Sequence, residues 1–329
     1  MSSLESGIFD SSYYNFQQNA LDVFRFQYSQ NKIYKEFVDQ LKIIPDTINN
    51  LKAIPFLPIS FFKTHEIKSG VFEPEIIFES SGTTGENTSK HFVKKWSLYE
   101  ESFVRGFETF YGDISNYCIL GLLPGYLERK NSSLVSMVDT LIRRSGNPKS
   151  GFYLSEFDNL YRTLVYNELK GQSTLLIGVT YALLDFASEF QMKLNHTIIM
   201  ETGGMKGKRK EITREEVHHF LCDKLGVQKI HSEYGMTELL SQAYSKGGGI
   251  FNYPNWMKIM IRDINDPFSI LFPDEKPVSG LINVIDLANL YSCSFIATED
   301  IGRLYKNGEF EVLGRSDTSL VRGCNLLVV

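Results

Sequence analysis

Ser80-Ser81-Gly82-Thr83-Thr84-Gly85, set directly after the apolar run Ile76-Ile77-Phe78, is the stretch on which the fold of this chain turns. An apolar run leading straight into glycines and hydroxyls places flexible backbone at a strand end. Glycine lets consecutive N–H groups face one anion at little steric cost, and the Ser and Thr hydroxyls add donors, so the segment can surround a polyphosphate. Lys90 brings a positive charge nearby. The same composition suits a surface turn, and taken alone the segment leaves both readings open. It is not a nucleotide-kinase loop of the G-x-x-x-x-G-K-[ST] type. Counting from Gly82, Asn87 stands where the second Gly belongs and Thr88 where the Lys belongs.

Outward from this loop the chain alternates between helical and strand-like patterns. Upstream, Leu21, Phe24 and Tyr28 recur at helical spacing within 19–30, and the Pro-punctuated Ile54-Pro55-Phe56-Leu57-Pro58 leads toward a strand over 75–79. Downstream the patterning predicts helix over 98–110, strand 117–123, helix 132–144, strand 173–179, helix 181–191 and strand 197–201. After about Gly247 shorter strand-like runs follow, at 256–262, 281–287 and 294–298. The expected architecture is α/β: an N-terminal helical segment over 1–75 packed on the core, an α/β core over 76–246 carrying the phosphate loop, and a β-rich subdomain over 247–329.

Composition bounds the function. The 329 residues are 43% hydrophobic and 22% charged, as in an ordinary globular protein, and a net charge of −5 argues against a nucleic-acid surface. The 24 Phe and 17 Tyr suggest thick packing between sheets and helices. Cys118, Cys222, Cys293 and Cys324 lack C-x-x-C spacing, so neither a zinc cage nor a disulfide framework is expected, and a cytoplasmic location fits. No secretory signal or membrane span is expected, the longest apolar stretch, 175–187, being interrupted by Thr180 and Asp185.

Two further clusters carry chemistry. His231-Ser232-Glu233-Tyr234-Gly235-Met236-Thr237-Glu238 precedes a helix-like run over 239–244, which would set Thr237 near a helix N-terminus, where anions are favoured. A Tyr can lie on a purine, a Thr hydroxyl can donate to phosphate and a Glu can hold Mg²⁺; a capped helix with a buried Tyr is the plainer alternative. The third is Leu304-Tyr305-Lys306-Asn307-Gly308-Glu309-Phe310-Glu311, which reads as two strands around an Asn-Gly type I′ turn. That turn would set Lys306 opposite Glu309 and, continued, pair Asp300 with Arg315. The pair suits either the two hydroxyls of a ribose or a surface ion pair of little energetic weight.

Taken in order, these clusters resemble the signatures of the adenylate-forming enzymes, the superfamily of acyl-CoA synthetases, luciferases and peptide-synthetase adenylation domains. The matching residues are Ser80 to Gly85 with Lys90, Tyr234 to Glu238, Thr298-Glu299-Asp300, and Gly314-Arg315-Ser316-Asp317. The resemblance implies that Ser80, Ser81, Gly82, Thr83, Thr84, Gly85 and Lys90 surround the phosphates of ATP. It further implies that Tyr234 and Gly235 meet adenine, Thr237 phosphate, Glu238 Mg²⁺, and Asp300 and Arg315 the ribose. A closer resemblance, covering nearly the whole chain, is to the acyl-protein synthetases that include the fatty-acid-activating subunit of bacterial bioluminescence, with phenylacetate-CoA ligases as nearer relatives. It rests on 123–129, Glu201-Thr202-Gly203-Gly204-Met205-Lys206, the 231–238 run and Arg322-Gly323-Cys324.

The implied chemistry is attack of a carboxylic or fatty acid on ATP to give an acyl-adenylate, then transfer to a thiol. In that family the thiol is a Cys near the C-terminus, which Cys324 resembles, and the final acceptor would be a protein: a reductase, an acyl-carrier protein or a transferase. The alternative for Cys324 is a small hydrophobe in a final apolar strand with Leu326 to Val329. Ligation to coenzyme A, or a non-catalytic nucleotide- or acyl-binding subunit, are the alternative functions. Two departures stand out. The family's C-terminal domain of roughly a hundred residues, with its catalytic Lys, is not expected after Asp317, and Lys90 lies beyond a spacer, 86–89, longer than the usual motif. His65, His91 and His196 read as incidental, and His218, His219 and Cys222 as a packed or solvated helix face.

Overall fold

Strands that are apolar along their whole length, with no polar face to offer water, are those of a sheet covered on both sides. The computed structural model describes all residues except 1, 11–12, 81–87, 125–130, 155, 204–211 and 317–329. They divide into two compact units, one made of 1–71 with 255–329, the other of 72–254.

The first unit opens with α1 (Ser2–Gly7), α2 (Tyr13–Gln30), α3 (Lys32–Gln40), β1 (Leu57–Pro58) and α4 (Phe61–Thr64). The second runs β2 (Ile76–Glu79), β3 (Lys90–Val93), α5 (Trp96–Tyr111), β4 (Cys118–Leu122), α6 (Ser133–Ser145), β5 (Gly151–Phe152) and α7 (Phe157–Lys170). It continues through β6 (Thr174–Val179), α8 (Thr180–Glu189), β7 (Thr197–Thr202), α9 (Arg214–Leu225), β8 (His231–Tyr234), β9 (Ala243–Ser245) and β10 (Ile250–Asn252). The chain then returns to the first unit with β11 (Met257–Arg262), β12 (Ile270–Leu271), β13 (Val278–Asp286), β14 (Phe295–Leu304) and β15 (Phe310–Arg315).

In the second unit β5, β4, β6, β7 and β8 are parallel neighbours in that order, and β9 and β10 continue the sheet antiparallel. Every residue of β4 and β6 is buried, and helices separate the parallel strands in sequence, as parallel pairing requires. The hairpin β2–β3 forms a separate two-stranded sheet. Aromatic residues of α5 account for part of the high Phe and Tyr content: Tyr99 packs edge-on to Phe78 at 5.1 Å and to Phe103 at 4.9 Å. The sheet ends at the carboxyl termini of β7 and β8 in Thr202 and Tyr234, the side on which open α/β sheets bind ligands.

In the first unit β12, β11, β13, β14 and β15 form an antiparallel sheet, and β1 lies parallel to β14. The N-terminal helices belong to this unit because buried amides bind them to the 289–294 turn. Gln27 Nε2 donates to the carbonyls of Asn289 and Leu290, each at 2.9 Å, and Asn31 Nδ2 to that of Ser292 at 3.0 Å. Tyr34 stacks on Phe295 with ring centroids 6.1 Å apart. Among the described residues no helix is long and apolar enough to cross a membrane.

Candidate functional site

The Gly-rich segment joins the strands of a hairpin. Ile76 to Glu79 pair with Val93 to Lys90, and beyond them the Ser80 amide donates to the Ser89 carbonyl at 3.0 Å while the Ser89 amide donates to Ser80 Oγ at 2.9 Å. Residues 81–87, which include Ser81, Gly82, Thr83, Thr84 and Gly85, lie outside the described set, but both ends of that segment are fixed against each other. Lys90 sits opposite Glu79, its Nζ 3.9 Å from the carboxylate and its side chain half exposed.

The buried face of the same hairpin carries His91. Its Nδ1–H donates to the carbonyl of Thr237 at 2.8 Å, tying the strand after the Gly-rich segment to the Tyr234–Glu238 segment at the end of β8. Burial lowers the His91 imidazole to about 4, with the Thr237 bond opposing, so the ring is neutral at physiological pH. The unfolded chain takes up a proton at this ring below about pH 6.5, which the folded protein refuses until about pH 4. The resulting penalty, roughly 3 kcal/mol, is absent above the first value and develops as pH falls toward the second, so stability drops across that window. His91→Asn, which can still donate, is expected to hold stability at neutral pH within about 1 kcal/mol, whereas His91→Leu should lose about 1–3 kcal/mol. Both should flatten the dependence on pH, which urea unfolding across the acid range measures.

In β8, Glu233 is buried and accepts a short hydrogen bond from Thr202 Oγ1 on β7. A Cβ at Gly235 would fall on the Glu233 carboxylate and lie 3.2 Å from Gln242 Cγ, so a larger residue there would displace the carboxylate. Tyr234 is 9% exposed and packs edge-on to Phe251 at 6.1 Å. Thr237 is partly exposed and Glu238 buried, at 6%. Beside them Glu201 accepts from Thr180 Oγ1 at 3.1 Å and lies 3.4 Å from Arg214 Nε and 3.6 Å from His218 Nε2. Burial alone would raise the Glu201 carboxyl, yet His218 and the charge of Arg214 outweigh it and hold it below the usual carboxylate range.

In the first unit, Asp300 stands opposite Arg315 in the β14–β15 pairing. The Arg315 guanidinium donates to Glu299, at 3.1 Å.

The chain matches ATP-bound MatB from Rhodopseudomonas palustris with a TM-score of 0.54 at 16% identity over 75% of this chain and 50% of that one. It matches a long-chain-fatty-acid-CoA ligase from Archaeoglobus fulgidus with a TM-score of 0.50 at 13% identity over 74% and 52%. The fold is that of the N-terminal domain of the adenylate-forming enzymes. The chain spans about half the length of these structures. No family model and no curated protein matches the sequence.

Against this adenylate-forming fold, three details of the sequence reading need correction. No helix follows Glu238: Thr237 and Glu238 form a turn, and the chain returns as β9, pairing with β8 from Ala243 opposite Tyr234. Thr237 therefore has no helix N-terminus behind it. The hairpin turn is not type I′. Its loop has three residues, Lys306 to Gly308, closed by the Tyr305 amide donating to the Glu309 carbonyl at 2.8 Å, and only Gly308 has positive φ, 90°. Lys306 does not face Glu309; its Nζ lies 3.9 Å from Asp274. The third is His91, read as incidental: it is the link between two motif segments. A His immediately after the candidate Lys was the available signal. His218 likewise touches Glu201, a contact that helical spacing cannot reveal. Asp317 and Cys324 lie outside the described residues.

Proposed function

We propose that the chain activates a carboxylic acid, of the fatty type, with ATP and passes the acyl group to Cys324 and from there to a partner protein. The observation that carries this reading is the His91–Thr237 hydrogen bond, at 2.8 Å, because it fastens the strand leaving the Gly-rich segment to the Tyr-Gly-x-Thr-Glu turn. Two peptides separated by well over a hundred residues then act as one support for a nucleotide.

In the first step a carboxylate oxygen attacks the α-phosphorus of ATP, the bond to the bridging oxygen breaks, and pyrophosphate leaves. In the second, the Cys324 thiolate attacks the acyl carbon, the bond to the AMP oxygen breaks, and AMP leaves, the thiol proton having gone to water. Ser80 to Gly85 with Lys90 would donate to the phosphate oxygens and neutralise charge that grows on the leaving pyrophosphate. Tyr234 and Gly235 would pack on adenine, and Asp300 and Arg315 would hold the ribose. Glu238 is a single hard carboxylate beside Thr237, a donor set that fits Mg²⁺ held by one carboxylate and the phosphates rather than by a protein cage. The ion, when bound, would supply positive charge to offset that of the phosphates.

Three other thiols are poor competitors for the acyl group. Burial raises the thiols of Cys118 and Cys222, and that of Cys293 to about 12. A nucleophile needs the thiolate form, so self-acylation should concentrate at Cys324.

Mass spectrometry of the intact protein, after incubation with ATP, Mg²⁺ and a series of acids, tests the reading. An adduct equal to the acid minus water, removed by hydroxylamine and mapped to Cys324, is the expected result. Turnover of free coenzyme A without any adduct would replace the protein acceptor by the coenzyme.

A further inference from the structure

Arg262, at the end of β11, is 8% exposed and is not part of any motif described above. Its guanidinium is spent inside the first unit's sheet. Nη1 donates to the Ile282 carbonyl at 3.0 Å and to Asn283 Oδ1 at 2.6 Å, and Nη2 donates to the Thr298 carbonyl at 2.6 Å. Burial lowers the group to about 10, with the charge of Glu299 opposing, so it remains a cation at neutral pH.

These acceptors lie where the β13–β14 ladder is broken. Leu281 opposes Ile301 and Asn283 opposes Ala297, so the single residue Ile282 faces three on β14, namely Thr298, Glu299 and Asp300. An unpaired bulge inside a sheet leaves carbonyls that need donors, and a planar cation with several fixed N–H groups can satisfy them together where Lys cannot. Thr298 completes the arrangement: its Oγ1 donates to the Ile282 carbonyl at 2.8 Å and accepts from the Asp300 amide at 3.2 Å. On the far side, Leu313 is an extra residue in β15, between Val312 opposite Gly302 and Gly314 opposite Ile301. Asp300 is thus set between two ladder irregularities, one of them filled by Arg262.

We infer that Arg262 is a positioning residue for the nucleotide's ribose, holding the Thr298–Asp300 bulge in the form that presents Asp300 to the sugar hydroxyls. The inference rests on the ribose role given to Asp300 under the proposed function. It requires Arg262 to act on one part of the ligand only, which a residue serving stability alone would not do.

The test compares binding of ATP and 2′,3′-dideoxy-ATP by calorimetry in the full chain, with thermal unfolding as a control for folding. The native protein should prefer ATP by roughly ten- to hundredfold, and Asp300→Ala should abolish that preference. Arg262→Gln should reduce the preference to within about threefold while leaving dideoxy-ATP affinity unchanged, with Arg262→Lys intermediate. A folded Arg262 variant that keeps the native preference, or that loses both ligands equally, overturns the inference while leaving Asp300 in its role. Failure of both Arg262 variants to fold would assign the residue to stability and overturn it too. If Asp300→Ala itself keeps the preference, the ribose assignment falls and this inference with it.

Discussion

Glu238→Gln is expected to lower acid-dependent exchange of pyrophosphate into ATP by roughly a hundred- to thousandfold, and added Mg²⁺ should restore part of it. The substitution keeps the size of the side chain and removes its charge, so the effect isolates electrostatics. Glu238 is 6% exposed in the turn that follows β8, and the preceding carbonyl is held by His91, so the carboxylate cannot simply be exchanged for solvent. A buried carboxylate beside a polyphosphate would repel it without a cation between them, and the same carboxylate becomes an asset once Mg²⁺ is present. Exchange at the native level in the Gln variant, at limiting Mg²⁺, would remove Glu238 from the metal's coordination. A melting temperature close to that of the native protein must accompany the loss for the argument to hold.

The second large effect is a separation of half-reactions. Cys324→Ala should abolish the covalent acyl-enzyme while leaving pyrophosphate exchange within about twofold, because a nucleophile that acts after adenylation adds nothing to the transition state that precedes it. Arg322 would favour the thiolate by its charge, and Gly323 would let the thiol approach closely. Of the other cysteines, Cys118 and Cys293 are buried, and Cys222 is partly exposed with a raised thiol, so none offers an easy second site. Labelling that persists in Cys324→Ala would move the acceptor elsewhere. Loss of exchange together with labelling would give Cys324 a structural role.

Much of the architecture was legible because periodicity and local composition carried it. The fully buried strands β4 and β6 are apolar runs with no alternation, and α5 and α6 have helical spacing, so the alternation of helices and strands of an α/β core follows from short-range pattern. The segment after Glu238 was misjudged because Leu239-Leu240 favours helix by propensity, whereas pairing of Ala243 to Ser245 with β8 is a long-range contact that propensity does not encode.

The hairpin shows how a correct pairing can rest on an incorrect turn. A two-residue turn would continue in register to Asp300 and Arg315; the real three-residue loop shifts the ladder by one, and the extra residue Leu313 shifts it back. Glycine at 308 was the legible part, since a residue at φ 90° belongs to Gly, but Asn307 keeps negative φ and so excludes type I′. The contacts of Arg262 and His91 were not legible for a common reason. Each donates to a backbone carbonyl distant in sequence, and a carbonyl carries no side-chain signature. Glu201 stood in a recognised segment, yet its partners, Arg214 and His218, come from α9 and meet it only in the fold.

The central claim, that this chain adenylates carboxylic acids, is tested most directly by pyrophosphate–ATP exchange in the native protein across a series of acids of increasing chain length. The account predicts exchange that requires both an acid and Mg²⁺ and that rises with the fit of the acid. ATP binding measurable by calorimetry, with no exchange for any acid in the series, would contradict it.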